Sequence, residues 1–226
     1  MVNAAAWQRI SEELDSKATL VAVSKTKPVE DIQALYHLGQ RHFGENYVQE
    51  LVDKQPQLPN DIQWHYIGHL QSNKVKYIAP FVHLIHAVDS FKLLQEINKQ
   101  AAKNDRTIDV LLQLHIAEEE TKFGLDEKEL LELLSYYEAQ QDQLQNVRIC
   151  GLMGMASFTE NEAVVRAEFK RLHNAFVNLQ QSNFLFQSHF NTCSMGMSGD
   201  YIIAIEEGST MVRIGSLLFG ARDHNT

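Results

Sequence analysis

From residue 19 onward, short apolar runs alternate with longer stretches whose apolar positions recur every three to four residues. The runs at 19–24 (TLVAVS), 41–44 (RHFG), 62–68 (IQWHYIG), 82–87 (VHLIHA), 108–116 (IDVLLQLHI) and 147–153 (VRICGLM) predict six strands. Two more are read at 188–192 (SHFNT) and 211–214 (MVRI). Most are nearly continuous in apolar residues, as a strand buried on both faces requires. Between them, Val29, Ile32, Leu35 and Tyr36 share one helical face behind Pro28, which suits a first helical position because its missing N–H costs nothing there. Phe91, Leu93, Leu94 and Ile97 define a second face, and Leu130, Leu133 and Leu134 a third in an acidic helix. The longest runs over 164–179, with Phe169, Leu172, Phe176 and Leu179 aligned.

Strand–helix alternation of this length implies parallel pairing. Eight strands in about 200 residues predict an α/β fold, a single (β/α)8 barrel of the TIM type. An extra N-terminal helix at 4–14 precedes it. An open, doubly wound sheet shows the same alternation, because periodicity does not reveal closure. With no linker and no internal repeat, 1–226 reads as one domain, the N-terminal helix within 1–18 and the barrel over 19–222.

Composition narrows the class. The chain is 44% hydrophobic, and its 20 Lys+Arg against 29 Asp+Glu leave a net charge of −9, which argues against a broad nucleic-acid-binding surface. No apolar run approaches the length of a membrane-spanning helix, and Met1 is followed by neither the basic nor the apolar segment of a secretory signal. Two cysteines, Cys150 and Cys193, cannot build a disulfide framework. The expectation is a cytoplasmic protein with reduced thiols and neither a membrane nor a nucleic-acid partner.

In parallel α/β folds, ligands gather at the C-terminal ends of the strands. Lys25 directly follows the first strand, where partial desolvation lowers an amine's pKa and frees it to attack a carbonyl. The alternative is a rim lysine whose head reaches solvent. Lys27, Lys74 and Lys122 compete, but Lys27 enters a helix and Lys122 sits in a polar loop. Asn46 and Tyr47 follow the second strand, His65 lies in the third with His69 just beyond, and Met153 and Met155 end the sixth. Ser194, Gly196 and Ser198 after the seventh strand, with Gly215 and Ser216 after the eighth, read as an anion cradle. Backbone N–H groups at a helix start and small hydroxyl side chains suit a phosphate, although Gly and Ser are also ordinary turn formers. Arg213 lies inside an apolar strand, so it either pairs with a carboxylate such as Glu45 or Asp200 or faces a ligand.

The histidines are not expected to hold a metal. His65 and His69 straddle Gly68, His83 and His86 have an odd spacing that puts them on opposite strand faces, and no Glu or Cys completes a zinc set. The absence of a Gly-x-Ser-x-Gly elbow, a P-loop and a Gly-x-Gly-x-x-Gly run sets aside serine hydrolase, triphosphatase and dinucleotide readings.

The runs AVSKTKP (22–28), FGENYVQE (43–50), WHYIGHLQSNK (64–74), GLM (151–153), SMGMS (194–198) and GSTMVRIGS (208–216) resemble, in this order, the motifs of the pyridoxal phosphate homeostasis protein family, also called proline synthetase co-transcribed proteins. The resemblance extends over about 19–222, and the family's fold is similar to the N-terminal barrel domain of alanine racemase. It implies that Lys25 holds pyridoxal 5′-phosphate (PLP) as a Schiff base, an internal aldimine, and that Arg213 faces the pyridine nitrogen. Ser198, Gly215 and Ser216, with Ser194, match the phosphate loops, and Asn46 and His65 match residues lining the cofactor pocket. Tyr66 stands where Phe is common, and Gly154-Met155-Ala156 varies a stretch that differs among members; neither is expected to touch the cofactor set.

An arginine beside the pyridine nitrogen disfavours its protonation, which weakens the ring as an electron sink. Alanine racemase draws a second acid/base from a C-terminal β-domain, for which these 226 residues are expected to have no counterpart. The resemblance therefore implies a PLP-binding protein of intracellular cofactor homeostasis, a monomer or weak dimer that delivers PLP to apo-enzymes. It implies no catalytic residues and no metal. The rival readings are a PLP-dependent enzyme with weak racemase or lyase activity on small amino acids, and a regulatory interaction protein that uses the cofactor as a signal.

Overall fold

The computed structural model describes residues 2–117 and 123–220. The chain runs α1 (Ala4–Leu14), β1 (Thr19–Val23), α2 (Val29–His37), β2 (His42–Glu45), α3 (Val48–Lys54), β3 (Gln63–Tyr66), α4 (Val75–Ile78), β4 (Leu84–Val88) and α5 (Phe91–Lys103). It continues through β5 (Ile108–Gln113), α6 (Glu127–Ala139), β6 (Val147–Met153), α7 (Glu162–Gln181), β7 (Thr192–Ser194), α8 (Tyr201–Glu206), β8 (Met211–Ile214) and α9 (Ser216–Phe219). All strand pairs are parallel and β1 closes on β8, so the open-sheet alternative falls away.

Local chemistry starts these helices where the apolar periodicity begins. Side-chain oxygens of Asn3, Ser90, Asp126 and Asn161 accept from first-turn N–H groups of α1, α5, α6 and α7, and Asp126 with Glu129 forms a reciprocal capping box. The main core lies between the sheet and the helices. A smaller apolar cluster of Val21, Leu84, Ala87, Leu111, Cys150, Met153 and Met211 fills part of the lumen.

The seventh strand departs from expectation. Residues 188–192 carry the β-like pattern, but pairing begins at Thr192, against Gly151, and runs to Ser194 against Met153. Phe190 supplied the misleading apolar signal: it is buried outside the lumen, stacked on Phe184 and Phe176. Gly151 has a φ of +153°, and a Cβ there would run into the Thr192 carbonyl oxygen, so this close approach of β6 and β7 needs glycine. Among the described residues no helix is long and apolar enough to cross a membrane.

Candidate functional site

Lys25 follows β1 and Ser24 at the C-terminal mouth of the barrel, in a tight turn where the Lys27 N–H donates to the Ser24 carbonyl at 3.0 Å. Thr26 has a φ of +63°, a left-handed conformation that a β-branched residue adopts at a cost of about 1–3 kcal/mol. Its N–H is held by Glu50 Oε1 at 2.6 Å. Below the turn, the Ser24 hydroxyl donates to Glu45 Oε1 at 2.7 Å. Lys54 Nζ donates to the Ser24 carbonyl at 2.8 Å, to Glu45 Oε1 at 2.8 Å and to Glu50 Oε1 at 2.6 Å. One buried ammonium thus ties the end of β1 to β2 and α3 and fixes where Lys25 leaves the strand. Burial pushes the Glu45 carboxyl above its ordinary range, against the pull of Lys54 and the Ser24 hydroxyl.

Arg213 stands on β8 beside Val21 of β1 and is 4% exposed. Its Nη1 donates to Ser194 Oγ at 2.6 Å and its Nη2 to the Gly154 carbonyl at 3.0 Å. Glu45 is engaged by Lys54 instead, and Asp200 acts on Arg213 through its charge. Of the two expected carboxylate partners, neither forms an ion pair with it among the described residues. Burial lowers the guanidinium to about 10, still charged at neutral pH. Gly154, expected to stand clear of the site, touches it through this carbonyl, and a Cβ there would press within 2.9 Å of Ile116 and Leu172.

The β7 and β8 loops, read from the sequence as an anion cradle, meet in the fold. The Gly215 N–H donates to Ser198 Oγ at 3.3 Å, Ser216 opens α9, and a Cβ at Gly215 would stand 3.3 Å from the Val23 carbonyl oxygen of β1. Gly196 has a φ of +96°, and a Cβ would stand 2.6 Å from that of Ala204. Ser194 is separate from these loops: it is fully buried, with its hydroxyl between Arg213 and His86.

Asn46 lines a cavity of about 550 Å³ with Tyr47, Tyr66, Gly68, His69 and Lys74, and its buried Oδ1 meets no partner among the described residues. Lys25, Arg213 and the cradle do not line this cavity. The Tyr66 hydroxyl donates to the carbonyls of Asn46 and His69, at 3.0 and 3.1 Å, and so ties together the loops after β2 and β3, a link phenylalanine could not make. Lys122 lies outside the described residues.

His65 is placed differently from expectation. It is fully buried in the lumen, with Nε2 2.9 Å from His42 Nδ1 and Nδ1 2.8 Å from His86 Nε2, which leaves no ring nitrogen for a ligand at the mouth. His86 Nδ1 continues to Ser194 Oγ at 3.1 Å, so a polar chain runs from the start of β2 to Arg213. His83 and His86 do not diverge. Their ring centroids lie 5.4 and 5.1 Å from that of His65, because His83 precedes β4 and escapes its alternation. Burial lowers His42 to about 4 and His65 and His86 well below the ordinary value, so all three are neutral at pH 7.

Sequence reasoning missed the Glu45–Lys54 support, since a lysine between strands gives no sign of burial. The signal available was the spacing of Glu50 and Lys54, four apart on a helix.

The chain matches the family "Alanine racemase, N-terminal domain" over residues 4–223. It is 43% identical over 208 residues to a pyridoxal phosphate homeostasis protein of Aquifex aeolicus, covering 92% of this chain and 88% of that one. With the protein of the same name from Escherichia coli it shares 41% identity over 212 residues, 92% of this chain and 87% of the relative. The solved structure of PipY from Synechococcus elongatus with PLP bound superimposes with a TM-score of 0.85 at 36% identity, over 96% of this chain and 99% of that one. An alanine racemase from Bartonella henselae shares the fold at a TM-score of 0.69 and 17% identity, over 99% of this chain and 60% of that one.

Proposed function

The chain belongs to the pyridoxal phosphate homeostasis protein family, on the alanine racemase N-terminal domain fold, and from that premise we propose that it holds pyridoxal 5′-phosphate through the Lys25 amine and passes it to apo-enzymes. One observation carries the reading. Lys25, Arg213 and the Ser198–Gly215 contact belong to the adjacent strands β7, β8 and β1 and the turns that follow them.

These residues fit the group. A lysine at a strand end, N–H and hydroxyl groups shared between two loops, and a buried guanidinium bonded to a hydroxyl and a carbonyl form a donor set suited to a phosphorylated pyridine aldehyde. When bound, the cofactor supplies a reactive aldehyde and an electron-accepting ring. Ser198, Gly215 and Ser216 would hold the phosphate and Lys25 the aldehyde carbon, while Asn46, assigned to the pocket by the resemblance, lines a cavity that these residues do not share. Arg213 stays charged, and would disfavour protonation of a ring nitrogen held beside it, which would restrain the ring's electron-accepting power. His65 supports the set from below through His86 and Ser194. The reading assigns the chain custody of the cofactor, in keeping with the homeostasis name its relatives carry. Cys150 and Cys193, both buried with thiols pushed up to about 12, stay protonated, as suits the reducing cytoplasm in which we place this protein as a monomer or weak dimer.

The test mixes the loaded full chain with an apo-enzyme that requires PLP and, separately, with alanine in heavy water. The reading expects the apo-enzyme's activity to recover and the alanine α-proton to be retained. Deuteration near the median enzyme rate of about 10 per second would favour the weak-enzyme alternative.

A further inference from the structure

We propose that His42, His65 and His83 form a binding site for a divalent transition-metal ion of the zinc class at the N-terminal end of the barrel. His42 opens β2, His65 lies on β3, and His83 directly precedes β4, so three neighbouring strands each bring one imidazole to the same point. One nitrogen from each ring lies within 4.8 Å of the others, and the ring centroids are 5.1, 5.4 and 5.9 Å apart. Zinc–imidazole bonds of about 2.0–2.1 Å put tetrahedral ligand nitrogens about 3.3 Å apart, so a pair at the 4.8 Å limit closes by about 1.5 Å while His42 Nδ1 and His65 Nε2, 2.9 Å apart, open slightly.

The surroundings supply what a metal-bound imidazole requires behind it. A bound histidine presents one nitrogen to the ion and donates from the other to an acceptor that fixes its tautomer. His65 has that arrangement already: Nε2 faces His42, while Nδ1 stands 2.8 Å from His86 Nε2. An ion at His65 Nε2 takes the lone pair there, replaces the His42–His65 hydrogen bond and leaves the proton on Nδ1, donated to His86. His86 then donates from Nδ1 to Ser194 Oγ, 3.1 Å away. Asp109 and Arg106, the charged groups that act on His83, oppose one another. Three imidazoles without a thiolate select zinc, cobalt(II), nickel(II) or copper(II) over calcium or magnesium, with the remaining position open to water. His65 is buried while His42 is partly exposed, which gives the ion a route from the barrel's end. This site is distinct from the Lys25 mouth and does not depend on the cofactor reading.

The experiment titrates the tag-free full chain with cobalt(II), read by its visible absorption, and then displaces it with zinc. The proposal expects one equivalent in the wild type and an affinity at least about tenfold weaker in both His42→Ala and His83→Ala. His69→Ala, on the loop beyond β3, should bind as the wild type does. Should either variant fail to fold, the ring nitrogens of 15N-histidine-labelled wild type decide the matter: zinc must shift those of His42, His65 and His83 and leave His37 and His173 in place. Less than one equivalent, a smaller loss in either folded variant, or shifts confined to other histidines would overturn it.

Discussion

Lys54 and Glu45 place opposite charges where water does not reach, with side chains 8% and 0% exposed. Such a pair contributes little net stability against an apolar equivalent, but removing one partner strands the other and costs about 3–5 kcal/mol. Lys54→Met should therefore lower the unfolding free energy by that amount in urea titrations. Pairing it with Glu45→Leu should recover much of the loss. An unchanged midpoint in the single variant would show that the ammonium does not brace the Lys25 turn. At this scale the sequence told unevenly. The positions of Lys25, Arg213, Ser198 and Gly215 at or near strand ends were legible because strand ends and apolar runs make isolated polar residues conspicuous. Lys54 was not, since a lysine at a helix end normally points to solvent and its burial depends on Glu45, a partner nine residues away on another element.

Elements β2, β3 and β4 share the polar chain His42–His65–His86, and its neutrality makes the barrel sensitive to acid. The folded pKa values lie below the unfolded value of about 6.5, so between those limits the unfolded chain binds more protons than the folded one. Their contribution is fully present above the unfolded pKa and is lost as pH falls toward the folded values, about 4 for His42. Glu45, with a raised pKa, acts in the opposite sense. Metal-free unfolding measured between pH 6.5 and 5 should show stability falling as the pH drops, with a shallower slope in His42→Phe. A flat profile would contradict the buried neutral chain. Alternation along one strand could not reveal this chain, because its links run between strands. The same limit displaced β7: a three-residue strand leaves too short a pattern beside the stronger apolar signal of Phe190.

For the whole molecule, the sheet closes through β1 and β8, and the N-terminal helix is fastened across the barrel. The Asn3 N–H donates to the Leu218 carbonyl at 2.8 Å, Trp7 Nε1 to Gln40 at 2.9 Å, and the Tyr201 hydroxyl to Glu13 at 2.6 Å. α1 thereby joins the beginning of the barrel to its end. Ile10 is fully buried at its centre, and Ile10→Ala should cost about 2–5 kcal/mol, read as a lowered midpoint of thermal unfolding. The eight-strand alternation was visible in the sequence and the β1–β8 junction was not, because closure is set by strand tilt and register. That junction sets Arg213 level with Val21, four residues before Lys25, and so brings the first and last strands to one mouth. The most direct test of this account is borohydride fixation of PLP on the wild-type chain, followed by peptide mapping and repeated with Lys25→Ala. One equivalent fixed on Lys25, and none in the variant, is the predicted result. Stoichiometric fixation on Lys74 or Lys122 of the wild type, or an undiminished yield in Lys25→Ala, would contradict it.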